Sequence, residues 1–159
     1  MNKRAVIAVT AALAVVGIGI YLFYPPLWLI DVGKYDRTAV SIYDENDTQL
    51  ASVDVRIADN QDKRVIGLSR TDSLDNGSGM LFVHSQEDTH EYVMRDMAFS
   101  LDIIFIDSEG SITRIHHAPQ NSDEKFRGEG QYVLEVPRGW SNATGVSVGD
   151  TVEIPDDID

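Results

Sequence analysis

Cysteine is absent from the 159 residues, and the chain has only three lysines after Lys3. The first absence removes disulfide frameworks, thiolate metal sites, cysteine nucleophiles and a lipid-modified cysteine anchor. It leaves the compartment open. The second bears on charge. Every one of the 26 acidic residues lies at Asp31 or later, while Lys3 and Arg4 supply two of the 13 basic ones, so the part from Asp31 onward is more acidic than the whole-chain net charge of −13 and carries −15. Phosphate backbones are bound by Lys and Arg that displace counterions, so this balance argues against DNA or RNA as partners. Eighteen of the acids are Asp, and they are scattered rather than gathered in a tail. Scattered acid suits a surface solvated in concentrated salt, where a Debye length of roughly 3 Å screens self-repulsion; the expectation is a halophilic, haloarchaeal-like protein. Glycine-rich phosphate loops, serine elbows and heptads are also missing, and Gly77, Ser78 and Gly79 make a lone turn signal.

Charge is missing altogether from Ala5 to Ile30. A helix over residues 5–24 would be about 30 Å long, the thickness of a bilayer's hydrocarbon core. Pro25 and Pro26 end or kink it, and Tyr21, Tyr24 and Trp28 stand where an interfacial aromatic belt is expected. Lys3 and Arg4 before the span place the N-terminus in the cytoplasm and the following domain outside the cell. The rival reading is a signal peptide cleaved after the small-x-small run Ala12, Leu13, Ala14. It would have an apolar region of only about ten residues and would leave another apolar stretch attached. The expected organisation is therefore an anchor over residues 1–30, a linker over 31–36 and a domain over 37–155.

Within that domain, Thr38–Tyr43 and Leu50–Ile57 read as a strand pair joined through Asp44–Asp47, with Val53, Val55 and Ile57 on one buried face. Asp59, Asn60 or Asp62 caps a short helix over Lys63–Leu68. Met80–Val83 and Leu101–Ile106 are apolar runs of strand length, the second apolar on both faces and so internal to a sheet. Between them lies a charged crossing, Tyr92–Met97. Asp107–Gly110 has type I turn composition, with Ile112–His116 returning antiparallel. Residues 119–130 are polar and glycine-containing, the composition of a mobile loop. Tyr132–Val136 is a further strand, and Val146–Val148 with Val152–Ile154 form a closing pair around Gly149 and Asp150. The fold class expected is α+β: a compact, predominantly antiparallel β domain with one or two short helices, preceded by a single transmembrane helix.

The succession Arg64, Gly67, Leu68; Gly79–Phe82; Val93–Arg95; Leu101–Asp107; Tyr132–Val136; Gly149, Asp150 resembles the family called domain of unknown function 192, over about residues 50–154. These are small bacterial and archaeal proteins often carried behind a signal sequence or membrane span. The resemblance implies a compact antiparallel domain with one or two short helices and no established activity. At the centre this chain departs from the family's usual run: Asp96 stands where an amide is usual, Met97 replaces a small hydroxyl residue and Ser100 takes the place of a proline.

The candidate ligand-binding residues are Arg70, Met94, Arg95, Asp96, Asp102 and Glu135, charged or soft side chains set among apolar ones. Asp96, Asp102 and Glu135 would serve as general acid and base if two of them converged; otherwise Arg64, Arg70 or Arg95 pairs with them in a structural ion network, Asp96 being the expected buried partner. No catalytic residue, cofactor or metal site is assigned. His116 and His117 leave opposite faces of a strand, His84 and His90 lack ligand spacing, and Met80, Met94 and Met97 are core filling rather than a soft-metal site. The function expected is a ligand- or partner-binding module at the cell surface. The alternatives are a hydrolase of an envelope polymer and an accessory subunit of a membrane complex.

Overall fold

The computed structural model describes residues 30–155 and 158. Two compact units divide the chain, Met1–Val32 and Gly33–Asp159; the anchor and the signal-peptide alternative lie outside the described residues. Among the described residues no helix is long and apolar enough to cross a membrane.

Seven strands form one sheet. They are β1 (Arg37–Tyr43), β2 (Gln49–Ala58), β3 (Ser78–Val93), β4 (Leu101–Ile106), β5 (Ile112–Ala118), β6 (Lys125–Pro137) and β7 (Thr151–Glu153), with α1 (Gln61–Ile66) after β2 and α2 (Trp140–Thr144) after β6. The spatial order is β5-β4-β6-β3-β2-β1-β7. All neighbours are antiparallel except β2 and β3, whose parallel pairing needs the crossover that α1 supplies. The two edges meet at one end: Ser111 bridges Thr151, Val152 N donates to Gly110 O (2.8 Å), and Ile112 N donates to Asp150 O (2.9 Å). The sheet is thereby a half-barrel closed at one end, and part of its edge is satisfied.

Curling gives the sheet an inner and an outer core. Val40, Ile42, Val53, Val55, Leu81, Ile104, Leu134 and Val136 fill the inside. Met80, Phe82, Ile103, Phe105 and Val133 cover the outside with Leu68, Met94, Met97 and Phe126. Because residues alternate sides, β4 is buried along its whole length, as its unbroken apolar run predicts.

The outer core is roofed by an arm that the sequence reading placed in loops. After a break in register between Val83 and Asp88, β3 continues to Val93 and pairs with Lys125–Gly130 of β6, so the stretch expected to be a mobile loop is in large part strand. Tyr92 meets Phe105 edge-on at 5.8 Å and Phe82 at 5.1 Å, and His116 packs between Phe105 and Phe126. Glycine is demanded here: a Cβ on Gly128 would overlap the Phe105 ring. A second correction concerns the C-terminal end. Trp140–Thr144 is helical, and β7 pairs with β1 rather than with residues 146–148.

α1 forms where expected, two residues early. Asn60 is its cap, its Oδ1 accepting from Lys63 N (3.0 Å), and Gly67 ends it at φ 49 with its N–H bonded to Lys63 O (2.8 Å). Arg64 then ties α1 to β3, its Nη1 donating to the carbonyls of Asp59 (3.0 Å) and Val83 (2.8 Å).

Candidate functional site

β6 carries two acids' worth of neighbours in a single ladder, and the register separates them. Ile103 of β4 lies directly opposite Glu135, while Asp102 lies opposite Val136. Directly opposed residues share a face and successive ones alternate. Asp102 therefore points to the inner side and Glu135 to the outer side.

Asp102 is fully buried and fully satisfied. Its Oδ1 accepts from His117 Nδ1 (2.7 Å), and its Oδ2 accepts from Ser141 Oγ (2.7 Å), Ser141 N (3.0 Å) and Gly139 N (3.1 Å). Burial pushes its carboxyl up, yet the hydrogen bonds from His117, Ser141 and Gly139 outweigh it and leave the group below its ordinary value. It is a structural staple that anchors α2 to β4, and its partners are not the arginines expected.

Glu135 is the opposite case. The residue is only 6% exposed, no hydrogen bond or ion pair reaches its side chain among the described residues, and burial holds its carboxyl up to about 8. An acid shifted in this way, in a site that solutes can approach, is a candidate functional position. It opens onto a cleft of about 410 Å³ between α1 and the arm. The remaining walls come from far apart in the chain: Arg64, Gly67 and Leu68 from α1 and its end, Phe82, His84, His90 and Tyr92 from β3, and Arg95 and Met97 from the turn that follows. Arg64, Gly67, Leu68, Phe82, Val93, Arg95 and Glu135 belong to four of the motifs that identify the sequence, and here they share one concavity.

Burial shifts three titratable groups of this cleft, Glu135, His84 and Tyr92. His84 and His90 stack ring on ring at 3.5 Å, and His84 Nε2 shares a hydrogen bond with the Tyr92 hydroxyl (3.0 Å). Burial, then the nearby His90 and Arg64, hold the His84 imidazole down to about 4. Burial and the neighbouring Glu135 raise the Tyr92 phenol well above its usual range. His90 Nε2 is buried and has no hydrogen-bond partner. Glu91, also on the wall, is already taken by Lys125 (2.7 Å) and Arg127 (2.5 Å). Among the described residues no group of three or more His, Asp or Glu side chains is disposed to hold a metal ion.

Of the six residues singled out from sequence, Arg95 and Glu135 meet in this cleft. Asp102 serves the inner side. Met94 is buried in the outer core and touches, with Arg95 and Asp96, a smaller recess against residues 121–124. Arg70 is exposed, lies near Tyr35 and is not among the residues lining the cleft. Asp96 is not a buried partner of an arginine: it is exposed at φ 58 within the turn closed by Met97 N and Met94 O. That left-handed backbone favours Asn and Asp among non-glycine residues, which explains both the family's amide and this chain's acid. Arg64, His84, His90 and Tyr92 were not assigned to the site. The signal was present as a period-2 set, Phe82 and His84, then His90 and Tyr92, interrupted by the register break.

The fold is shared with solved structures. A crystal structure from Sinorhizobium meliloti 1021, of a protein named as a candidate transcription regulator, is 27% identical with a TM-score of 0.73, covering 77% of this chain and 97% of that one. A protein of unknown function from Novosphingobium aromaticivorans DSM 12444 superposes with a TM-score of 0.71 at 23% identity, over 77% of this chain and 89% of its own. No functionally curated protein matches. Residues 42–154 match the family model described as uncharacterized ACR, and the chain belongs to that family, DUF192.

Proposed function

We propose that this is a membrane-anchored, extracytoplasmic domain that binds a small ligand in the cleft between α1 and the β3–β6 arm. The observation that carries the reading is Glu135: a largely buried acid with no hydrogen-bond or ion-pair partner among the described residues, lining a 410 Å³ cleft whose walls converge from three separate segments. An unpaired buried acid costs stability, and a site that binds something is the simplest reason for a fold to keep it. A cleft of this size takes a ligand of sugar or amino-acid dimensions. Val65 and Val93, two of the large apolar side chains that stand exposed among the described residues, flank its rim. Scattered exposure of this kind favours a ligand site over the flat patch that an accessory subunit would need.

Hydrolysis by paired carboxylates gains no support, because Asp102 and Glu135 occupy opposite faces and Asp96 lies on an exposed turn. Transcriptional regulation through nucleic acid is disfavoured by the −15 charge. Anchoring through residues 5–24, with the domain outside the cell, remains part of the proposal on the strength of the uncharged run and the preceding Lys3 and Arg4.

The test is capture by the full chain in detergent micelles, equilibrated with a small-molecule extract, followed by mass spectrometry of what stays bound. Wild type should retain one or a few compounds that Arg95→Glu, folded to the same melting temperature, releases. Retention of the same compounds by both proteins, or of none by either, contradicts the reading.

A further inference from the structure

We infer that the ligand is a small organic acid whose carboxylate seats between Arg64 and Arg95 and against the Glu135 side chain, with its carbon body on the apolar wall of the cleft. This rests on the cleft being the ligand site. Both side-chain hydrogen bonds of Arg64 use Nη1, so among the described residues its Nε and Nη2 edge is not engaged. Arg95 is exposed and forms no ion pair among the described residues. In a chain with 26 acids, the one carboxylate on that wall able to compete, Glu91, is held by Lys125 and Arg127. The floor acid adds no negative charge while it keeps its proton, and its O–H is a donor with nothing to donate to.

Two guanidinium edges and one acid proton match the planar oxygens of a carboxylate. His90 Nε2, buried and unpartnered, offers a further polar contact. Leu68, Phe82, Val93 and Met97, with the stacked His84 and His90 rings, provide a surface for a carbon body that an inorganic anion lacks. The charged and titratable groups facing Glu135 are Arg64 from α1, His84, His90, Glu91 and Tyr92 from β3, and Arg95 from the turn. Of these, His84 and Tyr92 are held neutral across the mildly alkaline range, so the acid proton of Glu135 sets the alkaline limit of anion binding.

The probe is benzoate, titrated calorimetrically into the full chain in detergent micelles at constant ionic strength, against benzamide and inorganic phosphate. Benzoate should bind at pH 7 at least tenfold more tightly than either. Arg95→Gln should weaken it at least tenfold without lowering the melting temperature, and Arg95→Lys should recover part of the loss. Above pH 8 the affinity of wild type should fall toward tenfold per pH unit, while Glu135→Gln, which keeps a donor and cannot ionise, should bind with no such fall. Equal binding of benzamide, equal binding of phosphate, no heat with benzoate at millimolar concentration, or an unchanged alkaline limit in Glu135→Gln overturns the inference. Capture of an uncharged compound that Arg95→Glu still releases would overturn it too, yet leave the cleft standing as a ligand site.

Discussion

Asp102 and Glu135 lie one ladder step apart on adjacent strands and send their carboxyl groups to opposite faces of the same sheet, because Ile103 is the residue directly opposite Glu135. One acid accepts four hydrogen bonds that hold its carboxyl below the ordinary value; the other accepts none among the described residues, and burial pushes it up to about 8. The same two strands thus hold a staple on the inner side and a candidate binding group on the outer side.

Removing the staple should be costly. Asp102→Ala orphans two amides, the Ser141 hydroxyl and one ring nitrogen of His117, and the loss should be about 3 to 5 kcal/mol. His117→Gln should cost less than about 1 kcal/mol, since that side chain is 43% exposed and its partner keeps three donors. Urea denaturation at pH 7 compares them. Equal midpoints for Asp102→Ala and wild type would show that the buried carboxylate is not holding α2.

The cleft predicts a pH profile with two opposed slopes. Glu135 keeps its proton in the fold up to about 8, so the folded state binds more protons than the unfolded chain from the ordinary value of 4.5 up to about 8. Stability should fall through that window, by about 3 to 5 kcal/mol at roughly 1.4 kcal/mol per pH unit. His84 works the other way: held down to about 4 from 6.5, it makes the fold less stable as pH drops between those values. Glu135→Gln should flatten the alkaline limb and leave the acid limb, and His84→Gln the reverse. A variant Glu135→Gln that tracks wild type from pH 5 to 9 would show that Glu135 is ionised in the fold.

Asp96 should tolerate change. Asp96→Asn keeps the left-handed preference and should alter stability by less than about 0.5 kcal/mol, whereas Asp96→Ala should lose about 1 kcal/mol through backbone strain alone. A loss of several kcal/mol in Asp96→Ala would mean that the side chain has a buried cationic partner after all.

Salt should matter over the whole surface. With −15 on residues 31–159, the melting temperature should climb as KCl rises from about 0.1 M into the molar range, where screening becomes nearly complete. A flat or falling curve would remove the halophilic reading of the acids.

What could be read from the residues followed how local the signal is. The β1–β2 hairpin and the doubly buried β4 are written in patterns of a few residues and were legible, and the helix cap was narrowed to Asp59, Asn60 or Asp62, of which Asn60 is the one. The arm was not. Its strands are polar outward and rest on glycine, and only the distant Phe105 ring explains why Gly128 must be glycine. α2 was hidden for a related reason: its five residues are anchored by Asp102 from another strand rather than by a cap of their own. At the site, Arg95 and Glu135 were visible as charges in apolar company. Which of several acids would lack a partner is set by sheet register, and register belongs to the whole fold.

The most direct measurement is the ionisation of Glu135 itself. Carbon-detected NMR of the glutamate side-chain carboxyls, eight in this chain, follows each through a titration, with Glu135→Gln assigning the signal. A Glu135 midpoint near 8 that rises further when benzoate is present is the result predicted. A midpoint near 4.5, unmoved by benzoate, would mean that Glu135 is solvated and ionised like any surface acid, and that the cleft is not the site described.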